Sequence, residues 1–327
     1  MNFLKIIEPS SVKQRTIWLV TFLCFALIHS NLFAQQLANS NYGLRSKMGV
    51  AISQEISNAN IDLNGWDGNP LGLTQSATNF QASVPLLLKI EVGSPKVKLS
   101  ILSAEYTFRF LNNIYSGLPS ENQNLLLPEN LYANALNISY MHTISFPWMM
   151  RHSVRFTYAG DYNGYSPLQI NASSFVLYRV NDKLMLGVGA LYQQLGSERS
   201  FLVVPYMDWR ISNRWFLDTT MPYRILVGRN FGSKKQHQLS WGTYIEFFTR
   251  YAYQQNNQQC IYENIDISSG LDFRTKIKGK MYLNAFVGSN FLRNINIKDS
   301  GLEKIGNISS NMGINARIGL SLNLEDK

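Results

Sequence analysis

Every second residue from Met312 to Leu324 is apolar: Met312, Ile314, Ala316, Ile318, Leu320, Leu322 and Leu324. Between them lie Gly313, Asn315, Arg317, Gly319, Ser321 and Asn323, all small or polar. Successive side chains of a strand point to opposite faces, so this segment reads as a strand with one greasy and one wettable face. A helix would scatter the same residues around its circumference. The pattern recurs upstream. Val154, Phe156 and Tyr158 alternate with Ser153, Arg155 and Thr157, and Leu184, Leu186, Val188, Ala190 and Tyr192 with Met185, Gly187, Gly189 and Gln193. Ile265, Ile267, Leu271 and Phe273 oppose Asp266, Ser268, Gly270, Asp272 and Arg274; Met281, Leu283, Ala285 and Val287 oppose Tyr282, Asn284, Gly288 and Asn290.

The alternation predicts fourteen strands, over 43–56, 77–92, 96–111, 133–146, 151–163, 169–180, 183–194, 200–211, 214–221, 224–231, 238–253, 260–276, 280–293 and 309–324. Twelve is the alternative if Met221-Pro222-Tyr223 is a bulge within one strand. Many runs exceed the ~5–6 residues of ordinary strands and match the ~9–11 of a tilted strand crossing a bilayer. Connections alternate in length. Ser57–Ser76, Asn112–Tyr132 and Asn294–Ile308 are expected as long loops, whereas Gly93-Ser94-Pro95, Asn181-Asp182, Ser212-Asn213 and Lys278-Gly279 read as tight turns. Outer-membrane barrels keep short turns on the periplasmic side and longer loops outside, and this order places both chain ends on the periplasmic side.

Two architectures share period-two patterning. A soluble sandwich buries its apolar face and wets the other, whereas a membrane barrel turns the apolar face to lipid and lines its lumen with the polar one. Residues 1–34 favour the barrel, because they read as a secretory signal. Lys5, Lys13 and Arg15 precede the apolar run Ile17–Ile28, and Leu32-Phe33-Ala34 before Gln35 supplies a small residue for cleavage. The run is short of the ~20 residues of a spanning helix. Residues 35–327 are then the barrel, with no plug domain. Its expected lumen-facing charges are Arg155, Asp208, Arg210, Asp218, Glu246, Arg250, Asp272, Arg274 and Arg317, of both signs and able to pair across strands. Trp148, Trp209, Trp215 and Trp241, with Tyr140, Tyr158, Tyr192 and Tyr251, fall mostly near strand ends, where barrels carry aromatic girdles.

Composition narrows the chemistry. The 327 residues are 45% hydrophobic and 16% charged, against ~25% charged in soluble domains. Net charge is +9, or +7 with 27 basic and 20 acidic residues after the signal. No Lys/Arg block is denser than Lys234-Lys235, so nucleic acid is not an expected partner. One cysteine, Cys260, remains after the signal, which excludes a disulfide framework. His142 shares apolar parity with Ile138 and Ile144 and is expected to face away from the lumen; His152 is expected on a tight turn beside Ser153. No hydrolase signature accompanies either, and Gly187-Val188-Gly189 sits inside a strand with no helix following, so neither catalysis nor a cofactor is expected. Asp208 and Asp218, separated by a turn, are expected to balance interior arginines.

The signal ending Asn31-Leu32-Phe33-Ala34-Gln35-Gln36, the alternating strands and the closing Gly313–Leu324 strand together resemble the outer-membrane β-barrel proteins of Bacteroidetes-type Gram-negative bacteria. The resemblance covers the whole mature chain and rests on architecture. It implies an all-β antiparallel transmembrane barrel in the bacterial outer membrane, with outer-membrane lipid as its surroundings and the barrel-assembly machinery as its partner during insertion. The wettable face, with Arg155, Arg210, Arg250, Arg274 and Arg317, points to a passive channel for small polar or anionic solutes. The rival readings are a non-conducting structural or adhesive barrel with partner-binding outer loops and, third, a transporter of hydrophobic compounds. Leu125-Leu126-Leu127 and Leu131 are expected either to fold into the barrel mouth or to meet another surface.

Overall fold

The computed structural model describes residues 49–63, 71–93, 96–116, 127–161, 166, 168–195, 198–220, 223–232, 236–247, 250–255, 257–299, 303–310 and 312–323. The expected signal, residues 1–34, lies outside them. So do Leu125, Leu126 and Pro222.

The described residues form sixteen strand segments and no helix: β1 (Gly49–Leu63), β2 (Leu71–Gly93), β3 (Lys96–Ser116), β4 (Asn130–Ser145), β5 (Trp148–Gly160), β6 (Gln169–Arg179), β7 (Leu184–Leu195), β8 (Glu198–Trp209), β9 (Trp215–Thr220), β10 (Arg224–Phe231), β11 (His237–Phe247), β12 (Tyr251–Gln255), β13 (Gln258–Lys278), β14 (Met281–Asp299), β15 (Lys304–Ser310) and β16 (Gly313–Asn323). Fourteen of them make one closed antiparallel ring. β1 to β11 follow one another, β11 pairs with β13, β13 with β14, β14 with β16, and β16 closes on β1 from Gly49↔Asn323 to Asn58↔Ile314. Closure is what lipid demands, since an unpaired backbone N–H or C=O in hydrocarbon costs several kcal/mol. The fold is therefore an all-β, fourteen-stranded barrel of the outer-membrane type.

The two faces separate as the alternation predicts. On β16, Ile314 is 68% exposed and Ile318 57%, whereas Asn315, Ser321 and Asn323 are buried in the interior. Val287 and Leu271 are exposed on neighbouring strands, with Trp148, Trp209, Trp215 and Trp241 on the same outer surface. An outer wall of Ile, Leu and Val is stable only against lipid. Tyr251 departs from the expected girdle. It is 3% exposed and belongs to an interior apolar cluster.

Two expected loops are largely strand, and a third is strand at its two ends. Ser57–Ser76 is taken up by β1 running on to Leu63 and β2 beginning at Leu71. Asn294–Ile308 is a hairpin, with β14 extending to Asp299 and β15 pairing both β14 and the end of β1. Within Asn112–Tyr132, β3 continues to Ser116 and β4 starts at Asn130. These extensions carry polar residues on the outer face as well, because they rise above the apolar band. Hydrophobic alternation therefore does not mark them. The expected strand 238–253 divides into β11 and β12. His152 lies inside β5 rather than on a turn, opposite Tyr140 and Ser174.

Candidate functional site

The interior has two unlike halves. At the turn end, the fourteen strands surround a cavity of about 410 Å³. It reaches the barrel end at Arg210, Ser212 and Asn213, beside the β8–β9 turn. Inward positions there mix charged residues, small residues and rings. Gly189 lies against the ring of Phe175, and Gly228 against the ring of Phe216; a Cβ at either would enter the aromatic carbon atoms. The glycines of Gly187-Val188-Gly189 thus make room on the inner wall for the Leu177 side chain and the Phe175 ring.

Arg109, Arg155, Arg210, Arg224, Arg274 and Arg317 line the cavity, against Glu55, Asp208, Asp218 and Asp272. Four of these arginines have a carboxylate nearby. Arg224 Nη2 donates to Asp218 Oδ2 at 2.6 Å, and Arg155 lies 4.0 Å from Glu105 while donating to Thr107 Oγ1 at 2.6 Å. Arg109 is 3.9 Å from Glu55, and Arg317 3.9 Å from Asp272, which also accepts the Tyr244 hydroxyl at 2.9 Å. Asp208 and Asp218 are direct cross-strand partners. Two carboxylates in that position repel, and Arg224, 3% exposed, offsets the charge of one.

Of the sequence-predicted lumen residues, Arg155, Asp208, Arg210, Asp218, Asp272, Arg274 and Arg317 are thus brought together around one cavity. Arg250 lies apart, at the loop end, in an ion pair with Glu263, which Lys298 also approaches at 3.2 Å. The side chain of Glu246 lies outside the described residues. The alternation did not single out Arg109, Arg224 or Glu55. Their signal was available: each has inward parity on its strand, and Arg224 follows the Pro222 break.

Above the cavity lies a buried polar layer. Arg293, 1% exposed, donates from Nε to Asp266 Oδ1 at 2.7 Å and from Nη2 to Ser57 Oγ at 2.8 Å. Asn315 donates to Glu55 at 3.2 Å, and Gln75 to Asn113 at 2.9 Å and to the Tyr262 hydroxyl at 3.3 Å.

Beyond that layer the loop end is filled. Leu73, Leu111, Leu127, Leu131, Tyr251, Tyr253, Tyr262, Ile295 and Ile297 form one apolar cluster with Ala77, Ala133, Ala159 and Cys260. Leu127 and Leu131 therefore fold into the mouth. Ala133 belongs both to this cluster and to the cavity lining, so on the β4 wall the two meet beside the polar layer. The cause is β12. It pairs with β13 and reaches across the mouth to β5, where Ala252 is in parallel register with Gly160. Asp161 N donates to Ala252 O at 3.2 Å, and Gln169 Nε2 to Arg250 O at 2.6 Å. This bridge closes a second, smaller ring of nine strands through β12, β13, β14, β15, β1, β2, β3, β4 and β5. Rings of about eight strands are just wide enough for side chains to fill.

His142 shares the outward face of β4 with exposed Ile138 and Ile144, stacking on Tyr140 at 5.0 Å and His152 at 5.8 Å. Neither histidine lines the cavity. Among the described residues, no group of three or more His, Cys, Asp and Glu is placed to hold a metal ion.

The family described as Domain of unknown function (DUF6268) matches residues 32–325, and the chain belongs to it. No curated protein matches the sequence. Similar solved structures include the deltaS2 mutant of the TodX monoaromatic hydrocarbon channel, at 10% identity and TM-score 0.45, covering 92% of this chain and 94% of that one. An outer membrane channel from Pseudomonas putida F1 follows at 10% identity and TM-score 0.39, covering 86% and 98%. The KdgM porin in complex with disordered oligogalacturonate has 9% identity and TM-score 0.32, covering 84% and 99%.

Proposed function

We propose that this DUF6268-family chain is a passage for small polar or anionic solutes across the bacterial outer membrane, closed in its resting form at the outer mouth. The observation that carries the reading is the cavity of about 410 Å³ lined by six arginines and four carboxylates. A barrel that served only as a wall would gain by filling that volume with apolar side chains. Lining a cavity with charge instead suits a hydrated solute. By the rule that short turns are periplasmic, the cavity faces the periplasm and the β12 bridge faces the exterior. Passage then requires β12 to leave β5.

The same filled mouth favours a second reading, a non-conducting barrel whose outer loops bind a partner. One measurement separates them. Purified protein in a planar bilayer is expected to give brief, infrequent openings. A barrel that stays silent under all voltages and after the β12 bridge is broken rejects the channel and leaves the structural reading. The hydrophobic-compound reading has less support, because the cavity is ringed by charge.

A further inference from the structure

The cations of the cavity are not evenly matched. Arg109, Arg155, Arg224 and Arg317 each have a carboxylate within 4.0 Å. Arg210, exposed at the barrel end, has none among the described residues, and neither does the half-buried Arg274. Its guanidinium carbon lies 4.1 Å over the ring of Tyr282, and its Nε is buried without a hydrogen-bond partner. On the ladder its neighbours are Gln238 on β11 and Asn284 on β14, both uncharged amides that also line the cavity. Asn284 donates to Ser321 at 3.0 Å, and the Gln238 amide has no partner among the described residues.

From this we infer that Arg274 is the anion-selecting residue of the barrel. It captures a small oxyanion, of the carboxylate or phosphate type, with the Gln238 and Asn284 amides as flanking donors. Three features support the assignment. An aromatic face under a guanidinium fixes its plane while leaving its N–H groups free for a bidentate acceptor. An arginine with no carboxylate in reach keeps its full charge for a ligand, whereas each of the four matched arginines shares its field with a carboxylate at 2.6–4.0 Å. The surrounding barrel end is also positive. Lys183, Arg210, Arg214, Lys278 and Lys280 are exposed there, with Asp182 in an ion pair with Arg179. A cleft of one sign raises the local concentration of its counter-ion.

The inference rests on the channel reading, and its test separates the two. In a planar bilayer under a potassium chloride gradient, the wild-type barrel is expected to prefer chloride. Inorganic phosphate is expected to interrupt that current. Arg274→Gln should lower the chloride preference several-fold and abolish phosphate block, and Arg274→Glu should reverse the preference. Arg199→Gln, which removes an equal exposed charge at the opposite, loop end of the barrel, should change neither. Conducting barrels whose reversal potential and phosphate block are unchanged by Arg274→Gln overturn the inference and leave the channel standing. If the protein does not conduct, the channel reading fails, and the phosphorus NMR line width of phosphate with detergent-solubilised protein decides the site. Broadening that disappears in Arg274→Gln supports it; equal or absent broadening in both proteins overturns it.

Discussion

Ala252 of β12 lies in register with Gly160 of β5, although five strands of the wall, β6 to β10, separate β5 from β11 around the ring. A Cβ on Gly160 would run into the carbonyl oxygen of Ala252, so the contact tolerates only glycine at this position. The bridge turns the outer half of a wide barrel into a narrower, filled one, which makes it the feature on which resting conductance depends.

Gly160→Val is therefore expected to undock β12 and raise bilayer conductance several-fold. The substitution sits at the end of β5 and leaves the fourteen-strand ladder intact. Its folding is checked by the heat-sensitive migration of barrels on gels. A folded variant with wild-type conductance would show that the bridge is not the closure.

Arg293 and Asp266 form a buried pair, with bonds of 2.7 and 3.2 Å. Removing one partner strands a charge in the interior. Arg293→Met is expected to destabilise the barrel by about 3–5 kcal/mol. The double replacement Arg293→Met with Asp266→Leu should recover much of that loss, because no charge is left unpaired. Urea unfolding in vesicles measures both, and equal losses in the single and double variants would argue against the pairing.

Val287 is 62% exposed in the middle of β14. If that face meets hydrocarbon, Val287→Arg costs about 2–4 kcal/mol in a bilayer. Ser53→Arg, on the cavity lining with uncharged ladder neighbours Asn79 and Gly319, is expected to change stability far less. A similar small effect at both positions would contradict the assignment of the outer face to lipid.

The ring of Phe175 occupies the space over Gly189. Gly189→Val overpacks that site and is expected to cost about 1–3 kcal/mol. In a Phe175→Ala background the same change should cost much less, since the ring it displaces is gone. Additive losses in a double-mutant cycle would mean the two residues do not share the space.

Period-two alternation by itself determined the strands, their antiparallel order, the outward face and the inward parity of residues such as Arg155, Asp272, Arg274 and Arg317. Alternation records what each face of a strand meets, and lipid on one side against a polar interior on the other leaves a clear record from Ile314 to Leu322. It fades where β1, β2, β3 and β14 rise above the apolar band, so those extensions read as loops. It also carries no information on distance across the barrel. The Arg293–Ser57 bond spans 236 positions in the chain, and the Ala252–Gly160 contact joins strands that are not neighbours in the main ring. Which arginines find a carboxylate, which one is left stacked on Tyr282, and whether the mouth is filled were decided by register and closure, properties of the assembled ring and not of any one strand.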